Sequence, residues 1–105
     1  MPVKVEFSDN DIIALLSGDI DHHSAVGLRE EIDRLITEKS PKPLVMDFSQ
    51  VGFMDSSGIG LVIGRFKSMQ EVNGKIIVQN PPYHIKKVMK LAGIDKIAKI
   101  TNNLE

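Results

Sequence analysis

The sequence has no cysteine and no tryptophan, and its 105 residues include one tyrosine and four phenylalanines. Without thiols there is no disulfide framework, no thiolate metal cluster and no cysteine nucleophile. Apolar runs extend for only a few residues, far short of a transmembrane helix, so no membrane insertion is expected. Residues 1–20 lack the basic start and apolar block of about 7–15 residues that mark a signal peptide. A cytoplasmic location is the resulting expectation. There is also no excess of one charge: 13 Lys and Arg face 14 Asp and Glu, for a net −1. The only basic concentration, Lys86, Lys87, Lys90, Lys96 and Lys99, contains no arginine and has Tyr83 as its one nearby aromatic. No direct nucleic-acid partner is expected from so weak a signal.

What is present suits one globular domain. Hydrophobic residues make up 42%, and eight glycines bring the apolar-plus-glycine share to about half. The domain is expected to span 1–100, with 101–105 a short tail whose Leu104-Glu105 reads as vector-derived. Charge is distributed unevenly. Residues 1–60 hold 5 basic and 11 acidic side chains, and residues 61–105 hold 8 basic and 3 acidic. Such polarity steers association with another protein, or reflects two solvated faces that happen to differ.

Hydrophobic periodicity divides the chain into alternating elements. Val3 to Ser8 alternates with period two, and after the turn signal Asp9-Asn10-Asp11 a second strand-length run covers Ile12 to Ser17. A helix is expected from an N-cap at Ser24 to about Lys39, burying Ala25, Leu28, Ile32, Leu35 and Ile36. Pro41 and Pro43 end it. Leu44 to Phe48 reads as a central strand and Ser49 to Met54 as a connection. From Asp55 the period turns helical through Ile59, Val62, Ile63, Phe66 and Met69, stopping at Asn73-Gly74. Lys75 to Gln79 is a strand. Pro82 opens a third helix that buries Ile85, Val88, Met89 and Ala92, and Ile94 to Ile100 supplies a last short strand. The order β-β-α-β-α-β-α-β predicts an α/β fold, a mixed sheet of four or five strands packed against amphipathic helices.

The conspicuous segment is Phe53-Met54-Asp55-Ser56-Ser57-Gly58-Ile59-Gly60, with two serines at a helix start. Either hydroxyl can cap that helix, while Gly58 and Gly60 let another chain approach its first turn. A phosphate on a serine there adds about −1.5 to −2 charges, accepted by free N–H groups while altering any surface packed over the site. Other chemistries fit less well. A Gly-x-Ser-x-Gly elbow is absent, since Met54 and Gly58 flank Ser56. Asp19, Asp21, His22, His23 and Asp55 match no strong metal-ligand spacing, and Gly58-Ile59-Gly60 is neither a dinucleotide fingerprint nor a Walker loop.

The combination of Gly18-Asp19-Ile20-Asp21-His22-His23 after a hairpin with Met54-Asp55-Ser56-Ser57-Gly58-Ile59-Gly60 at a helix start resembles the STAS domain family, and within it the bacterial anti-sigma factor antagonists. The resemblance runs through Ile100. It implies a non-enzymatic protein with no cofactor of its own and a regulatory phosphoserine at Ser56. The implied partner-binding set is Asp21, His22, Asp55, Ser56, Ser57, Gly58, Ile59 and Gly60. Asp21 resembles the family acid that faces the phosphoacceptor, so it is expected to matter to recognition more than to stability. The implied partners are an anti-sigma factor with serine kinase activity, which brings ATP and Mg²⁺, and a serine phosphatase. The unphosphorylated form would bind the anti-sigma factor and release the sigma factor, and phosphate on Ser56 would weaken that complex. The alternative is a non-enzymatic STAS scaffold in a stress-signalling or transport complex. A small hydrolase using Ser56 is a further class. Asp19 stands where relatives often carry glutamate, and the helix that usually follows the last strand has no counterpart in these residues.

Overall fold

Buried Ala14, Leu16 and Ile20 along the second strand set the frame. In a computed structural model of the protein, which describes residues 3–8 and 11–102, β1 (Val3–Ser8) and β2 (Asp11–Ile20) form an antiparallel hairpin. The turn expected at Asp9-Asn10 and the ending expected at Leu104-Glu105 lie outside the described residues. Ala14, Leu16 and Ile20 point into the core from β2. β3 (Leu44–Met54) lies parallel to β2, followed by β4 (Ile76–Gln79) and β5 (Lys99–Thr101), giving one five-stranded sheet in sequential order. Leu44 to Phe48 is buried at every position, which requires cover on both faces of the sheet. That cover comes from α1 (His22–Lys39), α2 (Ser56–Glu71), α3 (Tyr83–Leu91) and a short 3-10 turn at Ile94–Lys96. The four- or five-stranded mixed sheet with three helices is thus observed, with five strands.

Several boundaries differ from the pattern reading. Ser49 to Met54 is strand, not connection. β3 keeps pairing with β2 through two register shifts, after Leu15 and after Gly18, where it carries extra residues. These irregularities destroy the period-two pattern over that stretch, which also holds Gly52, Ser49 and Gln50. Gly18 sits at φ +86, a backbone region that disfavours any Cβ. The last strand is shorter than expected because Ile94–Lys96 coils before it, and it includes Thr101, which pairs with Gln79. Residue 101 therefore belongs to the sheet and not to a tail. On α3, Val88 is 41% exposed and Ala92 is an exposed C-cap. The helix is only nine residues long and anchors through Ile85 and Met89, so Val88 falls at the edge of its buried stripe. Ile32 is fully buried, and Phe66 packs half-buried against the core.

One buried carboxylate is fully engaged. Asp47, 5% exposed in β3, accepts hydrogen bonds from the Ser49 backbone N–H at 2.8 Å, Gln79 Nε2 at 2.7 Å and Asn80 Nδ2 at 3.1 Å. This carboxylate pins the end of β4, from which the chain leads into α3, to the middle of β3.

Candidate functional site

Parallel pairing brings the ends of β2 and β3 together. Ile20 pairs with Met54, and the Asp55 N–H donates to the Ile20 carbonyl at 3.1 Å. Both chains then turn directly into helices, so α1 and α2 begin side by side at one sheet edge.

Each helix start is held by an aspartate. Asp21 is the N-cap of α1: its Oδ1 accepts the Ser24 N–H at 2.9 Å, and the Ser24 hydroxyl accepts the Asp21 N–H at 2.9 Å. This reciprocal box places Ser24 at the third helical position, correcting its assignment as the cap. The same hydroxyl donates to the Asp19 carbonyl at 2.9 Å, fastening the end of β2. Asp55 caps α2 in like manner, with Oδ1 accepting the Ser57 N–H at 2.8 Å and its carbonyl accepting the Gly58 N–H at 3.0 Å. Neither serine hydroxyl is needed for that end. An aspartate supplies a charged acceptor against the positive end of the helix, which a hydroxyl cannot match.

The Asp21 carboxyl is pulled below the ordinary carboxylate range, chiefly by the Ser24 backbone N–H, with help from the Ser24 hydroxyl, the His23 backbone N–H and the His23 ring. Partial desolvation opposes the shift. Asp21 therefore has a structural task as the cap of α1, beside the recognition role expected of it.

The remaining motif residues separate by exposure. Ser56, the first residue of α2, is exposed; Ser57 is half-buried and turns toward α1. His22 and Gly60 are exposed and line the same groove as Ser57. Ile59 is half-buried against the core. Gly58 is buried, and a Cβ there would overlap the Met54 side chain and touch Ile20. Its smallness lets α2 seat on the sheet, not another chain approach, which corrects the role expected of it. Gly60, by contrast, has nothing within 4 Å of a Cβ position.

The sequence pattern missed several neighbours. Phe53 is 53% exposed beside Asp19, and Val26 is 46% exposed one turn into α1. An exposed apolar residue in a turn or at a strand end is the signal that marks them, but it reads as core until the strand register is known. A ring nitrogen of His84 donates to the Gly52 carbonyl at 2.9 Å, bringing the start of α3 to the same edge and engaging the imidazole there. Arg65 on α2 is 7% exposed with its Nε 3.0 Å from Asp33 on α1. Among the described residues, no three His, Asp or Glu side chains converge into a metal-binding cluster. No helix among them is long and apolar enough to cross a membrane.

Against known proteins, residues 2–105 match the STAS domain model. The anti-sigma F factor antagonist of Paenibacillus polymyxa is 31% identical, over 98% of this chain and 88% of that protein. The solved structure of the anti-sigma factor antagonist SpoIIAA in its unphosphorylated form superimposes with a TM-score of 0.78 at 29% identity, covering 93% of this chain and 86% of that one. The phosphorylated form of the Bacillus cell fate determinant SpoIIAA gives 0.70 at 29%, covering 93% and 89%. A sheet ending in two aspartate-capped helices with a serine exposed between them, together with this full-length match, places the chain in the STAS domain family.

Proposed function

We propose that this protein is an anti-sigma factor antagonist controlled by phosphorylation of Ser56. The observation that carries the reading is the contrast at the start of α2: Ser56 is exposed, while Ser57 is half-buried toward α1. A kinase reaches the first hydroxyl without moving the fold. The Ser57 and Gly58 N–H groups are already bonded to Asp55, so a phosphate on Ser56 meets few free donors in the first turn. It would then project from the surface beside Asp55.

The consequence is electrostatic. About −1.5 to −2 charges arrive at an edge that already holds Asp19, Asp21 and Asp55. A partner that docks over the unphosphorylated edge, on Phe53, Val26 and the α2 start, meets like charge and added bulk once Ser56 is modified. The chain contributes only the acceptor hydroxyl. ATP and Mg²⁺ belong to an anti-sigma factor with serine kinase activity, and a serine phosphatase restores the binding form. The protein works in the cytoplasm with no cofactor of its own. The likeness to an anti-sigma F factor antagonist supports a sporulation-type sigma factor as the released component.

The test is a pull-down with the anti-sigma factor kinase and ATP, followed by intact-mass analysis. Wild type gains one phosphate and loses the complex. Ser56→Ala gains none and stays bound, and Ser56→Asp binds more weakly. A complex that survives full phosphorylation overturns the reading.

A further inference from the structure

Where α1 and α2 lie side by side, the facing residues of α2 are small. Ser57, Gly60 and Gly64 follow one another at helical spacing and leave a groove of about 330 Å³, rimmed on α1 by His22, Val26 and Arg29. Two observations point to an occupant. Arg65 lines the groove while only 7% exposed, and its Nη1 is buried without a hydrogen-bond partner among the described residues. Its ion-pair partner, Asp33, is half exposed and meets it at Nε, 3.0 Å away. The Arg29 guanidinium adds a second positive charge, close enough to oppose that of Arg65. Two cations thus lie beside an open cleft whose walls, Ala25, Val26 and Leu61, are apolar, and Asp33 is paired with Arg65.

We propose that this groove binds a small organic oxyanion, with its carboxylate or phosphate head at Arg65 and Arg29 and its apolar body along Ala25, Val26 and Leu61. A guanidinium presents planar paired donors to either head group, and the glycines of α2 let the ligand approach the helix backbone closely. The inference stands apart from the phosphorylation of Ser56, although the near end of the groove shares His22, Ser57 and Gly60 with that edge.

Titration of the ¹⁵N-labelled full chain, followed by amide shifts, tests it. The probes are sodium butyrate, inorganic phosphate, and sodium chloride at matched ionic strength. Saturable shifts at Arg29, Gly60, Gly64 and Arg65 are expected with butyrate or phosphate and not with chloride, and the titrant that saturates identifies the head group. A Cβ on Gly64 meets nothing within 4 Å, so Gly64→Leu fills the groove without straining the helix. It should weaken binding at least tenfold. Arg29→Gln, an exposed change with no bearing on the core, should weaken it several-fold. Linear shifts equal to those with chloride, shifts confined to residues 56–58, or unchanged affinity in either variant would overturn the proposal.

Discussion

Asp21 and Asp55 each hold a helix start through one carboxylate oxygen, and the chemistry of the site is readable at this scale. Because the Asp21 carboxyl is held below its ordinary value of about 3.9, the folded state keeps the charged form that the unfolded chain begins to protonate. Its contribution to stability is therefore complete above that ordinary value and is lost as pH falls through the lowered folded value. Asp21→Asn keeps a capping oxygen but no charge. Melting curves should show the variant less stable at pH 7, with the gap to wild type closing as pH falls below about 4. The glycines give a second prediction. Gly58→Ala forces the Met54 side chain aside, and overpacking of this kind typically costs about 1–3 kcal/mol, toward the lower end where a flexible methionine gives way. Gly60→Ala meets open space and should be neutral or stabilising by up to about 1 kcal/mol. Chemical denaturation of the two variants checks the contrast.

Among the elements, what was legible in the sequence followed from period. The stripe of α1, with Leu28, Ile32 and Leu35 buried, and the largely apolar, fully buried start of β3 are in the structure as the pattern reads. Leu28→Ala should cost about 2–5 kcal/mol, since Leu28 is fully buried, and Ile63→Ala less, since Ile63 is only partly covered. Period failed where another interaction set the boundary. Ser24 has the chemistry of an N-cap, but Asp21 three residues earlier outcompetes it with a charged oxygen. The second half of β3 is held by pairing with β2 across two register shifts, a long-range cause invisible to local alternation. The Asp33–Arg65 contact between α1 and α2 was also illegible, because it joins residues 32 positions apart on two helices whose mutual packing no local pattern states. It supplies a test of how the helices are joined. Asp33→Ala leaves a buried guanidinium with less compensation and should destabilise by about 1–3 kcal/mol, whereas Arg65→Met removes the charge itself and should cost less. Thermal unfolding of both variants measures the order.

For the whole molecule, the sheet acts as a rigid platform that delivers three helix starts to one edge: α1 and α2 through Asp21 and Asp55, and α3 through His84 on Gly52. The position of the site was legible as a motif at the β3–α2 junction. Its geometry was not, since the exposure of Ser56 over Ser57 depends on how α2 rolls against α1, which no spacing in the sequence states. The switch proposed for this edge needs no change of fold, only a charge on one exposed hydroxyl beside carboxylates already committed to capping. Phosphosite mapping by fragmentation mass spectrometry, after reaction with the anti-sigma factor kinase and ATP and with affinity for the kinase measured on the same sample, tests this most directly. The account predicts one phosphate, on Ser56, with Ser57 empty and affinity lost in step with occupancy. Phosphate on Ser57 with Ser56 empty, or full affinity in the Ser56-phosphorylated protein, would contradict it.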